Sequence, residues 1–198
     1  MSSRRLMERE ALVEILKRDS ASRFLEEHVF DRVPHVFTGD RALFVSWKRA
    51  LAQALEVDPA CLTVVGGAAV GNSLNPGKNL KAFDPSSDVD VAVVSHYHFT
   101  VAWRYLRTHS DRRLRVDART RIAWDDHVRT YIYWGTIATD KLLGVLPFGL
   151  QWLKAQASMS SIDPTKGHSV NFRIYSDFEA LRSYQLMSIK NVRASLFD

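Results

Sequence analysis

The sequence predicts a fold of helices around a few strands, either α/β or α+β. Three observations point there. Three short β-rich runs, 62–65, 89–94 and 169–175, lie far apart along the chain. The stretches between them carry apolar residues at helical spacing. Both ends of the chain read as helix. With 198 residues, 46% of them hydrophobic, including five Trp and ten Phe, the chain can build one domain with a real core, or one domain with an appendage.

Taken in order, Leu6, Leu12, Val13, Ile15 and Leu16 interleave with charged residues over 6–17, which predicts an amphipathic helix. Ser20 is a cap for a second helical piece reaching Phe30, and Pro34 interrupts the chain beyond it. Residues 1–38 therefore read as an N-terminal helical arm and 39–198 as the main domain. Such an arm either packs on the domain or serves a partner. Gly39-Asp40 opens a helix over 41–55, closed by Asp58-Pro59. The strand 62–65 then runs into Gly66-Gly67.

Residues 72–86 are the least regular, with turn signals at Asn75-Pro76-Gly77 and Asp84-Pro85. Lys78 and Lys81 fall between them, either reaching a phosphate or solvated. Residues 89–94 are Val and Ala apart from Asp90, the pattern of a strand buried on both faces. A helix is expected over 99–109. The stretch 110–121 holds Arg112, Arg113, Arg115, Arg119 and Arg121; it either tracks a nucleic-acid or nucleotide backbone or is a solvated loop. Residues 122–146 read as mainly helical, with Tyr131, Ile132, Trp134, Ile137 and Leu142 toward a core. A further helix is expected over 148–157. Asp163-Pro164 and Gly167 mark a turn before the strand SVNFRIY. Ser176 and Glu179 have the spacing of a capping box for a last helix carrying Leu181, Tyr184, Met187, Ile189 and Val192.

The chemistry concentrates between Gly66 and Asp90. Side chains two apart on a strand share a face, so Asp88 and Asp90 project together. Neighbouring carboxylates repel unless they share a proton or a cation. Mg²⁺ suits them, since it binds one or two carboxylates plus substrate phosphates. A strand that turns at Gly66-Gly67 into a helix start exposes backbone N–H groups that favour a phosphate. Together these make a metal–nucleotide site.

The run Gly66-Gly67-Ala68-Ala69-Val70-Gly71, followed by Ser87-Asp88-Val89-Asp90-Val91, resembles the signature of the polymerase-beta-like nucleotidyltransferases. The match covers 64–94, about a sixth of the chain. It implies an α+β fold: a small mixed β-sheet as a nucleotidyltransferase-like core, flanked by N-terminal and C-terminal helices. It implies transfer of a nucleoside monophosphate from a nucleoside triphosphate to a hydroxyl acceptor, which is RNA, a nucleotide or a protein. Asp88 and Asp90 would be catalytic and hold Mg²⁺ (or Mn²⁺). Gly66, Gly67, Ser73, Ser87 and Lys78 would hold the nucleotide; Gly67 stands where the signature also allows Ser.

The family also places a third acid on a later strand. SVNFRIY offers Asn171 and Arg173 instead. Asp117, after the run 113–116, is the first substitute, and Asp125, Asp126 and Asp140 are the others. Without a third acid, the same fold would bind nucleotide, nucleic acid or a protein partner without turnover. By analogy with the family, small chains of this kind pair with a second protein in toxin–antitoxin and defence systems.

The net charge of +5 suits polyphosphate or nucleic-acid partners. A membrane partner is not expected, because the most apolar stretch, 142–153, is short and broken by Gly144, Pro147 and Gly149. The opening MSSRRLMERE has no apolar core of a signal peptide, and Cys61 is the sole cysteine, so a reducing, cytoplasmic setting is expected.

Overall fold

The computed structural model describes residues 9–197, so Leu6, at the start of the first expected helix, lies outside the described residues. Strands β1 (Leu62–Val65), β2 (Val89–Val94), β3 (Thr136–Ala138) and β4 (Val170–Tyr175) form one mixed sheet in the order β1-β2-β4-β3. β1 is antiparallel to β2, β2 parallel to β4, and β4 antiparallel to β3. Helices pack around this sheet, which makes the fold α+β with flanking helices, as expected. Among the described residues no helix is long and apolar enough to cross a membrane.

The N-terminal helices are α1 (Arg9–Arg18) and α2 (Ala21–Leu25), the latter continued by a π-helical turn over Glu26–Phe30. Ser20 caps α2, accepting from the Arg23 N–H at 3.2 Å. Leu12, Leu16, Phe24 and Leu25 are fully buried in the same cluster as the sheet residues. The arm is thus packed into the one core. Its junction is fastened to the last helix, where Arg193 Nη1 donates to the Asp19 carbonyl at 2.6 Å.

Helix α3 (Arg41–Leu55) starts at Asp40, whose carboxylate accepts from the Leu43 N–H at 2.9 Å. It packs on α8 (Gly149–Met159), and Trp47 Nε1 donates to Thr165 Oγ1 at 2.9 Å. After β1 comes the short α4 (Gly66–Val70), and after β2 comes α5 (His96–Thr108), capped by Ser95. α6 (Ser110–Arg113) occupies part of the charge-rich stretch, where Arg113 is ion-paired to Asp125. α9 (Phe178–Phe197) closes the chain. Its cap is Asp177, which accepts from the Ala180 N–H at 2.8 Å; Ser176 donates to Asp177 instead of capping the helix itself.

The main departure is between 122 and 146. The helix expected there ends early, as α7 (Ala118–Asp126) and a π-helical turn over His127–Tyr131. Gly135, at φ +65°, reverses the chain, and Thr136–Ala138 becomes the edge strand β3. β-Branched Thr136 and Ile137 favour the pleated conformation, and the Thr136 hydroxyl donates to the Ile174 carbonyl at 3.0 Å. Trp134 consequently faces solvent, 57% exposed, instead of the core, beside the exposed Tyr133. Trp124 is the buried aromatic, donating to the Leu106 carbonyl at 3.1 Å.

His127 ties α7 to β3. Its Nδ1–H donates to the Ala123 carbonyl at 2.5 Å, and its Nε2 accepts from the Ala138 N–H at 3.0 Å. That pairing requires the neutral ring, and burial holds His127 below its ordinary value of 6.5. The unfolded chain therefore takes up a proton that the folded chain resists, so stability is full above 6.5 and declines as pH falls through and below it. Burial depresses His28, His35 and His98 in the same direction. The urea midpoint should therefore fall between about pH 7.5 and about pH 5.5, and His127→Gln should make that dependence shallower. A midpoint flat across this interval would contradict the neutral pairing.

Candidate functional site

The site forms where β1 turns beside β2. Val65, the last residue of β1, lies opposite Asp90 in the antiparallel ladder. Gly66 comes next at φ +63°, and a Cβ built there would stand 3.5 Å from Asp90 Oδ2. Only glycine takes this backbone conformation cheaply.

The irregular stretch expected after Gly71 is in fact tied down. The Phe83 N–H donates to the Gly71 carbonyl at 2.8 Å, and the Ser73 N–H to the Lys81 carbonyl at 2.8 Å. Asn72 Nδ2 donates to the Leu80 carbonyl at 3.0 Å. Phe83 stacks on His168 with ring centres 5.0 Å apart, and His168 Nδ1 donates to the Ser87 carbonyl at 2.7 Å. Lys81 is occupied with Asp84 at 2.8 Å. That ammonium, with the Ser86 and Ser87 donors, holds the Asp84 carboxyl well below its ordinary value. Among the described residues Lys78 is the lysine that lines the site without an ion pair.

A cavity of about 520 Å³ opens here. Gly66, Gly67, Ser73 and Lys78 form one wall. Asp90, Asn171 and Arg173 form the floor, because β2 and β4 run parallel with Asp90 opposite Asn171 and Ala92 opposite Arg173. Tyr184, Gln185, Ser188 and Asn191 of α9 form the far wall. A recess of about 80 Å³ shares Gly67, Ser73, Lys78 and Asp90 and adds Asp88 and Ser87. The structure thus brings Asp88, Asp90, Gly66, Gly67, Ser73, Ser87 and Lys78 together.

Asp117 is elsewhere. It caps α7, accepting from the Thr120 N–H at 3.0 Å and the Thr120 hydroxyl at 2.6 Å. Those bonds hold its carboxyl below the ordinary value. The Asp117-x-x-Thr120 pattern is a helix cap, and that local demand places it. Asp125 is likewise spent on Arg113. The acid that lines the cavity is Asp140. It lies two residues past β3, and Thr139 pins the chain just before it: the Thr139 hydroxyl donates to the Phe172 carbonyl at 2.6 Å. The signal for it was Gly135 leading into Thr136, Ile137 and Thr139, a turn and a β-branched run.

Asp90 is also not where a strand buried on both faces would put it. Every other residue of β2 is buried, and Asp90 alone is exposed, into the cavity. Its carboxyl is nonetheless raised above its ordinary value. The surrounding walls thin out water, the Asp88 charge adds to the effect, and Asp140 contributes; Arg173 and Lys78 pull the other way. Among the described residues no Lys, Arg or His lies within 4.0 Å of Asp88 or Asp90. Two carboxylates in mutual repulsion, open to a cavity and unpaired among the described residues, are oxygen donors of the kind a hard divalent cation takes.

A second group of possible ligands, Asp19, Glu27 and His28, has donor atoms within 4.8 Å of one another. Its carboxylates already bond Arg18 at 2.9 Å and Arg23 at 2.8 Å, which removes the charge a cation would need.

Comparison with protein-family models, with curated proteins and with solved structures returned no match.

Mg²⁺ should raise the melting temperature of the wild-type protein, since a ligand that binds only the folded state stabilises it. Asp90→Asn should melt higher than wild type in chelator, having lost the repulsion, and should lose the response to Mg²⁺. A Mg²⁺ response that survives in Asp88→Ala plus Asp90→Ala would place the cation elsewhere.

Proposed function

We propose that this protein is a metal-dependent nucleotidyltransferase, moving a nucleoside monophosphate from a nucleoside triphosphate to a hydroxyl acceptor. One observation supports it above the rest: Asp88 and Asp90 open toward the same space as the Gly66-Gly67 turn, with Ser73 and Lys78 beside them. Asp140, which lines the cavity beside Asp90, is the candidate for the third acid. In this reading Asp88 and Asp90 hold Mg²⁺ or Mn²⁺, and Asp140 acts from the cavity wall and not as a third ligand, since the three do not bring their oxygens within 4.8 Å of one another. The bound ion supplies neutralisation of the phosphates and a more acidic attacking hydroxyl. The Gly66 and Gly67 backbone, the Ser73 hydroxyl and the Lys78 ammonium orient the triphosphate. The acceptor oxygen bonds to the α-phosphorus, the bond from that phosphorus to the bridging oxygen breaks, and pyrophosphate leaves. In this reading Asp140 receives the hydroxyl proton.

A second reading has one specific support. The strand next to Asp90 carries a neutral amide, Asn171, at the paired position, where the resemblance calls for an acid. A chain with only two working acids would bind nucleotide, nucleic acid or a protein partner without turnover.

Incubation with α-labelled nucleoside triphosphates and Mg²⁺ separates the two. Asp88→Ala plus Asp90→Ala should abolish label transfer. Asp140→Asn should reduce it by about 100-fold or more, the scale of losing one electrostatic stabiliser of the transition state. Asp117→Ala should leave it unchanged. Equal transfer by wild type and the double variant would end the enzymatic reading. Calorimetric binding of triphosphate without metal and without product would favour the second.

A further inference from the structure

The cavity extends past the acids to a part that the donor nucleotide does not explain. Arg173 sits on its floor, on the opposite flank of β2 from the glycine turn, because β4 and β1 border β2 on different sides. Its guanidinium lies over the ring of Tyr184 at 4.7 Å and over that of Tyr131 at 5.6 Å. The rings fix its position but satisfy none of its in-plane donors. Nη1 is buried without a hydrogen-bond partner, and among the described residues no carboxylate lies within 4.0 Å of the group. A guanidinium nitrogen buried without a partner is costly, and native structures rarely leave one without a reason. Its planar fork matches the oxygens of a phosphate or a carboxylate. Asn171, Gln185 and Asn191 stand around the same space with amide groups for further hydrogen bonds.

We infer that Arg173 anchors an oxyanion carried by the acceptor, a phosphate or a carboxylate near the attacking hydroxyl. The inference rests on the nucleotidyl-transfer reading, for this reason. The attacking and leaving oxygens of phosphoryl transfer lie roughly in line. The leaving pyrophosphate belongs to the side of Gly66, Gly67 and Lys78. The attacking hydroxyl must then arrive from the other side of the acids, which is the side of Arg173 and α9. A space of about 520 Å³ shared by donor and acceptor suits a small acceptor.

The test monitors the Arg173 side-chain Nε–Hε NMR signal, assigned by its loss in Arg173→Met. The protein is first saturated with Mg²⁺ and an α,β-methylene nucleoside triphosphate, with binding measured by calorimetry. Inorganic phosphate and acetate are then titrated separately. One or both should move the signal saturably with the analogue in place, and the stronger arm tells phosphate from carboxylate. Arg173→Met should weaken that anion by about tenfold or more, the scale of one charge-assisted hydrogen bond, and leave the analogue's affinity unchanged. Arg173→Lys, which keeps the charge, should recover part of the binding. A signal moved by the analogue and indifferent to both anions thereafter would assign Arg173 to the donor and overturn the inference. So would an Arg173 signal that neither anion moves. If the analogue does not bind at all, the nucleotidyl-transfer reading falls and the acceptor role with it, whereas the anion site is decided by the phosphate and acetate titrations alone.

Discussion

Two negative charges, Asp90 on β2 and Asp88 just before it, with no cation among the described residues ion-paired to either, are the constraint on which the rest of this structure turns. Of the positive groups lining the site, Lys81 is bound to Asp84 and Arg173 lies against two tyrosines, while Lys78 has no ion pair among the described residues. The strand cannot relieve the repulsion by shifting. A slip of one residue would carry Asp90 into the apolar core and push valines into the cavity. The buried Val89, Val91, Ala92, Val93 and Val94 therefore lock the acids into an arrangement that is unfavourable by itself. Folding free energy from that packing is what sustains it, and stability is given up at functional sites in this way.

How much of this was legible depended on distance along the chain. The seven residues between Gly66 and Asp90 meet because β1, its turn and β2 form one antiparallel unit, and the i, i+2 rule for strands needs no knowledge of the rest of the fold. Asp140 needs far more. It reaches the cavity only because β3 is a strand, pairs with β4, and β4 in turn pairs with β2. β3 has three residues, and the helical pattern of α7 before it hides its period. Asp117 misleads for the converse reason. Its surroundings resemble a strand end, yet a carboxylate three residues before Thr120 at a helix start is claimed by the helix's own unpaired N–H groups. The same competition moved the α9 cap from Ser176 to Asp177.

The order of strands also separates two kinds of chemistry on one floor. β4 lies between the acids of β2 and the acid just beyond β3. It presents an amide and a guanidinium, so the negative groups are divided by a positive one. Arg173 lowers the proton affinity of Asp90, while Asp88 and Asp140 raise it. Asp140, one strand further out, stays within electrostatic reach of Asp90, and the intervening strand carries a cationic side chain.

α9 connects this site to the part of the chain that looked most separable from it. One face of α9 buries Leu181, Ile189 and Val192 in the core. Its neighbouring positions, Tyr184, Gln185, Ser188 and Asn191, recur at helical spacing and form the far wall of the cavity. The N-terminal helices pack in the same core, and Arg193 grips the Asp19 carbonyl at the α1–α2 junction. Arg182 reaches Glu26 at 2.8 Å from the same helix. The arm is thus packed against the same helix that forms the far wall of the cavity.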